Sequence, residues 1–303
     1  MEKQEEMKQT EMKQTEIKQT EIKQEEIKRK SIKGSMTEGN PVKCMLAFAV
    51  PMILGNLFQQ FYNLADSMIV GKLVGQDALA AVGVSTAITM LFVMVAIGTG
   101  IGCSVVISQL FGAGKIKEMK TAISTALTSI MAFSLLLSVI GRVFSRPILA
   151  AMKTPADIFD GAETYMNIYF YGFFFLFLYN AFSAVFNALG DSKKPLYFLL
   201  FSSVFNIGLD LLFVGKFKWG IAGAAWATLI AQAVSAALSF GVLCHKLGQI
   251  PCGKYTRFDG KVLLNMTHVA IPTIVQQSMV SIGMLLIQAV VNRFGSVFIA
   301  GYT

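Results

Sequence analysis

The sequence predicts an all-α polytopic membrane protein: a six-helix transmembrane lobe followed by one helix of a second lobe, arranged as a parallel repeat. Three observations predict it. Charge is scarce and segregated, since Asp, Glu, Lys and Arg make up 15% of the 303 residues against about 25% in an ordinary soluble domain, and 19 of them precede Ala47. Seven long uncharged runs follow that charged start. The last run repeats the first in register. The net charge of +8 falls largely in loops, where it sets orientation, so no nucleic-acid partner is expected. Cys44, Cys103, Cys244 and Cys252 lack close ligand spacing and read as packing residues rather than a disulfide or metal framework.

Residues 1–40 form a low-complexity tail of pentapeptides, from Glu6-Met7-Lys8-Gln9-Thr10 to Ser31-Ile32-Lys33-Gly34-Ser35. A five-residue step turns about 500° on a helix, so Met7, Met12, Ile17, Ile22, Ile27 and Ile32 make no apolar face. The tail is expected to be solvated and cytoplasmic. No basic stretch leads directly into an apolar run, as a signal peptide requires.

A transmembrane helix needs about 20 apolar residues, and each run supplies a span. They are Cys44–Ala65 continuing past Asp66 to Gly71, Ala78–Gly114, Thr121–Gly141, Thr164–Gly190, Pro195–Leu209 continuing past Asp210 to Gly215, Trp219–Cys244 and Val262–Asn292. The second run is long enough for one helix or a tight pair; with no Pro or charge to mark a turn, one helix is preferred. Its Gly98, Gly100 and Gly102 suit close packing or a bend. With the tail inside, nineteen Lys and Arg lie on the inner side and seven on the outer, which predicts a cytoplasmic N-terminus in the cell membrane.

With an offset of 221, Ala49-Val50-Pro51-Met52-Ile53 aligns with Ala270-Ile271-Pro272-Thr273-Ile274, Leu64 with Leu285, Val70 with Val291 and Lys72 with Arg293. One deletion later Gly75 meets Gly295 and Ala80 meets Ala300. Six spans separate the two starts, so the copies run parallel, as in transporters of two like halves. The expected domains are 1–40 as tail, 41–250 as the first lobe, and 251–303 as the inter-lobe loop and first helix of a truncated second lobe. The chain is thus expected to be a fragment of a protein of about twelve spans, with the missing second lobe as its partner.

Polar groups inside spans are costly and mark pathways. In the first span Asn56, Gln59, Gln60, Asn63, Asp66 and Ser67 recur every three or four residues on one face, either a pathway or a hydrogen-bonded helix seam. In the fifth, Asn206 and Asp210 are four apart. Asp210 is either part of a buried site or a group near the outer surface. In the sixth, Ala224 and Thr228 are four apart among small residues that admit a neighbouring backbone. Such oxygen donors suit a hard cation or a proton relay. The seventh span carries Gln277, Ser281, Gln288 and Asn292, with Ile287 at the position matching Asp66. The fourth span has Tyr165, Tyr169, Tyr171 and Tyr179, which read as packing and interfacial residues or as an aromatic cavity wall for an organic cation.

Several of these segments resemble the multidrug and toxic compound extrusion (MATE) transporters. They are Pro51-Met52-Ile53-Leu54, Asn63-Leu64-Ala65-Asp66-Ser67, Leu79-Ala80-Ala81-Val82-Gly83, Ser108 to Gly114, Asn187 to Pro195, Asn206 to Asp210, and Gly220 to Thr228. The resemblance covers about residues 41–303. It implies a two-lobed exporter that rocks between outward-open and inward-open states, driven by Na+ or H+ entry. It also implies a first-lobe cation site at Asp66, Asn206, Asp210, Thr228 and Ala224, with Asp66, Asn206, Asp210 and Thr228 as ligands if the ion is Na+.

The function expected is cation-coupled efflux of organic cations or drugs, with no cofactor and with membrane lipid around the spans. Asn56, Gln59, Gln60, Asn63, Gln277, Ser281 and Gln288 are the expected substrate cavity. An enzyme is disfavoured by the lack of a phosphate loop or a His-Glu-x-x-His motif, and by having only two histidines. The alternative is a flippase or exporter of a lipid-linked cell-envelope precursor, whose pyrophosphate would need Arg or Lys within the spans.

Overall fold

The computed structural model describes residues 40–250, 252 and 254–302. The pentapeptide tail, apart from Asn40, lies outside the described residues. The elements are α1 (Pro41–Leu73), α2 (Gln76–Gly112), α3 (Ile116–Ala151), α4 (Ala156–Ala188), α5 (Lys193–Asp210), a π-helical turn (Leu211–Lys216), α6 (Gly220–Gln249), α7 (Gly260–Val291), a 3-10 turn (Asn292–Phe294) and α8 (Ser296–Tyr302). No strand occurs among the described residues. Seven helices are long and apolar enough to cross a membrane, one for each uncharged run, and the long second run is a single helix.

Local chemistry starts the helices where the polar residues sit. Asn40 Oδ1 accepts from the Val42 N–H at 3.0 Å and Pro41 occupies the first turn, where its missing N–H costs nothing. Asp259 accepts from the N–H groups of Lys261 at 2.9 Å and Val262 at 3.4 Å at the head of α7.

α4 is the centre of the packing. Phe170, Phe173, Phe177 and Phe186 are fully buried, and Phe92 of α2 meets Phe170 edge to face with centroids 5.4 Å apart, a favoured aromatic geometry. The Ser138 hydroxyl of α3 donates to the Phe170 carbonyl, while Ser85 of α2 donates to the Ala162 carbonyl at 3.1 Å. In lipid these hydroxyls satisfy backbone acceptors and join neighbouring helices.

Several helices outrun the uncharged runs, α4 by eight residues at its start and α6 by five at its end. α3 continues ten residues beyond Gly141 and carries Arg142, Arg146 and Pro147 within it. A helix can protrude past the hydrocarbon, so the first charge marks a change of solvent rather than the end of the helix. The fifth span changes hydrogen-bond pitch directly after Asp210, where the π turn begins.

The repeat has structural counterparts. Pro51 and Pro272 lie inside α1 and α7, and Val70 and Val291 are both buried. Gly75 at φ +126° and Gly295 at φ +89° each precede the next helix. A left-handed turn at those positions favours residues without a Cβ. α7 packs against α2 through small residues: a Cβ on Gly98 would stand 2.7 Å from Ile274 Cα, and Gly102 lies directly against Ala270.

Polar ties fix the ends. Asp191 pairs with Lys246 at 2.9 Å and Lys194 at 3.5 Å, and Ser192 donates to the Phe48 carbonyl at 3.0 Å. Lys120 donates to the Ile250 carbonyl at 2.7 Å, and the Asp259 N–H donates to Thr125 Oγ1 at 3.0 Å. At the other end of the bundle, Asn292 donates to the Met152 carbonyl at 3.0 Å.

Candidate functional site

α1, α4, α5 and α6 converge on the two carboxylates that the sequence places inside apolar runs. Asp66 of α1 and Asp210 of α5 face one another within hydrogen-bonding reach. Two carboxyls bond in this way when one carries the proton, because two bare carboxylates at that separation repel. Asp210 has no exposed surface. The Asn206 amide, oriented to satisfy both its ends, donates to Asp210 Oδ2 at 2.8 Å and accepts from the Thr228 N–H at 3.1 Å. Thr228 Oγ1 donates to the Ala224 carbonyl at 3.1 Å.

Asn206, Thr228 and Ala224 are all buried, so Asp66, Asn206, Asp210, Thr228 and Ala224 form one cluster. The i, i+4 spacing on α5 puts Asn206 beside Asp210, and the same spacing on α6 places the Thr228 hydroxyl over the Ala224 carbonyl. Asp66 Oδ1 and Asp210 Oδ1 are buried without a hydrogen-bond partner. These two orphaned acceptors, an amide, a hydroxyl and a nearby carbonyl make an oxygen-rich pocket of the type that suits a hard cation or a proton.

Three tyrosines wall this cluster. The Tyr62 hydroxyl lies near Thr228, and that of Tyr169 near Gln232. Tyr165, 5% exposed, stacks on Tyr169 with centroids 6.0 Å apart. All three lie near Asp66. Tyr62 and Gln232 are the residues that sequence reading missed, and the signal was spacing: Tyr62 is four before Asp66 and Gln232 four after Thr228. Tyr165 and Tyr169 belong to this wall as well as to the packing of α4.

The residues expected to line a substrate cavity divide into three groups. Asn56 and Gln59 line a cavity of about 590 Å³ between α1, α2, α4 and α5, together with Ser104, Ser108, Asn180 and Asn187, and none of its lining residues is charged. Ser183 Oγ and Asn187 Oδ1 at its wall lack hydrogen-bond partners. Gln60 and Asn63 bond to each other at 3.4 Å along α1 and do not line it.

On α7 the pattern differs again. Ser281 and Gln288 are buried, Gln288 donates to Asn292 Oδ1 at 3.0 Å, and Gln277 is half-buried. None of the three joins the Asn56 cavity. Gln288 acts instead through Asn292 on the Met152 carbonyl, tying α7 to the end of α3.

Comparison with known proteins agrees with this fold. The MatE family model matches residues 51–212. The "Probable multidrug resistance protein YpnP" of Bacillus subtilis (strain 168) is 34% identical over 267 residues, covering 88% of this chain and 60% of that relative. The "FAD transporter" of Shewanella oneidensis is 27% identical over 208 residues, covering 67% of this chain and 46% of that relative. A multidrug resistance MATE family transporter of the MOP superfamily, solved in an outward-facing conformation, shares the fold with a TM-score of 0.74 at 24% identity, over 80% of this chain and 54% of the other. The chain therefore spans less than two thirds of the relatives it matches. By the family model and by its likeness to YpnP, the chain belongs to the MatE family of membrane transporters.

Proposed function

We propose that residues 41–250 form the ion-coupling lobe, and residues 251–303 the start of a second lobe, of an exporter that moves organic cations or drugs outward as Na+ or H+ enters. The observation that carries this reading is the pairing of Asp66 with Asp210, with an unpartnered oxygen on each. Asp66 lies seven residues before the end of α1 and Thr228 eight residues after the start of α6, so the pair sits in the half of the bundle away from Lys115, Lys117, Lys120, Lys193 and Lys194. If those basic clusters face the cytoplasm, the coupling ion enters from outside.

An arriving Na+ or H+ would relieve the repulsion between the two carboxylates and, in the case of Na+, draw the Asn206 oxygen and the Thr228 hydroxyl inward. The accompanying shift of α1 against α5 and α6 favours one access state over the other. The neutral Asn56 cavity lies about 15 Å along α1 from Asp66, at 1.5 Å per residue, and accepts the hydrogen-bonding part of the cargo without competing for the ion.

The test is dye uptake into everted vesicles carrying this chain fused to the second half of a related exporter. Wild type should accumulate a cationic dye under an imposed Na+ or H+ gradient, while Asp66→Asn and Asp210→Asn should each lose most of that uptake. Full uptake by both variants would overturn the coupling role. One relative favours a second cargo reading: likeness to an FAD transporter makes a flavin nucleotide the alternative, and competition of dye uptake by FAD separates the two.

A further inference from the structure

We propose that the π turn Leu211–Lys216, seated on Gly223 of α6, is the positioning element that holds Asp210 against Asp66. The chain leaves α pitch directly after Asp210. The Phe217 N–H donates to the Leu212 carbonyl, five residues back, at 2.9 Å, and the Trp219 N–H donates to the Phe213 carbonyl, six back, at 3.0 Å. Such widened turns are rare, and they concentrate at functional sites.

Three contacts hold the wide turn. Val214, 3% exposed, packs in a small apolar core with Val70 of α1, Tyr165 of α4 and Ala224 and Ala225 of α6. Phe213 stacks on Trp219 with centroids 4.9 Å apart, and Phe217 lies beside the same indole at 5.8 Å. Gly223 admits the turn to α6: a Cβ there would stand 3.1 Å from Trp219 Cβ and 3.2 Å from the Phe213 backbone carbon, closer than packed carbons sit.

These contacts flank the carboxylates on both sides. Val70 and Val214 each lie four residues beyond the aspartate of their own helix, so the core that holds them is one turn past the Asp66–Asp210 pair. Ala224, whose carbonyl accepts from Thr228, directly follows Gly223. The seat on Gly223 therefore sets how far the end of α5 stands from α6 at the level of Asp210. The pitch change also clears the pair. On an unbroken α-helix Phe217, seven residues after Asp210, would return to within about 20° of it and place a phenyl ring on the buried face. In the wide turn Phe217 is 49% exposed, and the smaller Val214 takes the buried position.

The consequence for transport rests on the coupling role proposed above for the pair, which dye uptake reads. Bridging of two thiols by Hg2+ reads position alone, so either can fail without the other. In the purified 303-residue chain with Cys44, Cys103, Cys244 and Cys252 replaced by Ala, Asp66→Cys with Asp210→Cys should bind one Hg2+ between the thiols. Native mass spectrometry and protection of both thiols from maleimide report it. Adding Gly223→Val should remove most of that bridging, whereas Gly241→Val, on α6 where a Cβ would meet nothing within 4 Å, should keep it. A reference pair, Gly55→Cys with Leu199→Cys, joins α1 to α5 where a Cβ on Gly55 would lie 3.8 Å from the Leu199 side chain, and it should bridge equally with and without Gly223→Val. No bridging at the aspartate positions in the parent, undiminished bridging there in Gly223→Val, or equal loss at both pairs would overturn the positioning role. Should Gly223→Val fail to yield monodisperse protein, deletion of the exposed Leu211 decides: it takes one residue out of the wide turn, and unchanged bridging in that variant rejects the proposal.

Discussion

Asn206 shows how much of the paired-carboxylate site depends on one uncharged side chain. Its amide supplies the hydrogen bond to Asp210 Oδ2 and accepts the Thr228 N–H, so Asn206→Ala strips a buried oxygen of its donor. That loss costs about 1–3 kcal/mol and should appear as a lower Tm of the detergent-solubilised chain. Asn206→Asp keeps the shape but adds a third carboxyl next to two others, and should lower Tm further unless the proton or cation concentration is raised. Tyr62→Phe is a milder change: it removes only the hydroxyl near Thr228. It should leave Tm nearly unchanged while reducing any stabilisation that added Na+ or acid gives to wild type. Equal ion-dependent shifts in Tyr62→Phe and wild type would place Tyr62 outside the proposed ion site.

At the level of elements, apolar run length revealed the spans because a bilayer imposes one solvent on about 20 consecutive residues. Boundaries were less legible where the helix outlasts that solvent. Gly141 closes the uncharged run, but α3 runs on to Ala151 through Arg142, Arg146 and Pro147. The carboxylates and the Asn206–Asp210 and Ala224–Thr228 spacings marked the site in sequence, because charge within an apolar run has few structural uses. Tyr62 and Gln232 did not stand out, since Tyr and Gln are common at helix seams and only their partners reveal the role. On α7, Gln288 bonds to Asn292 near the helix end, and neither it, Gln277 nor Ser281 lines the Asn56 cavity. A further consequence belongs to the α2 and α7 contact. Gly98 leaves no room for a Cβ beside Ile274, so Gly98→Val should force α7 outward and cost roughly 1–3 kcal/mol. The check is thermal unfolding together with an engineered disulfide across α2 and α7, which should form in the otherwise wild-type chain and fail to form once Gly98→Val is added.

For the whole molecule, orientation determines what the site can do, since the paired carboxylates lie near one end of the bundle and the basic clusters near the other. In the proposed orientation, with Lys115, Lys117, Lys120, Lys193, Lys194 and Lys246 in the cytoplasm, Asp66 and Asp210 would meet ions arriving from outside; inverted, the proposed site would lie toward the cell interior. Labelling decides between these arrangements. In a background with Cys44, Cys103, Cys244 and Cys252 replaced by Ala, Asp157→Cys and Lys117→Cys each place a single thiol at an exposed position at opposite ends of the bundle. A membrane-impermeant maleimide should label Asp157→Cys and spare Lys117→Cys in intact cells, with the pattern reversed in everted vesicles. The reverse pattern in intact cells would invert the chain and, with it, the direction of ion entry. Equal labelling of both thiols in intact cells would mean that the bundle inserts in two orientations, and a coupling site fixed near one end could then serve only half of the molecules.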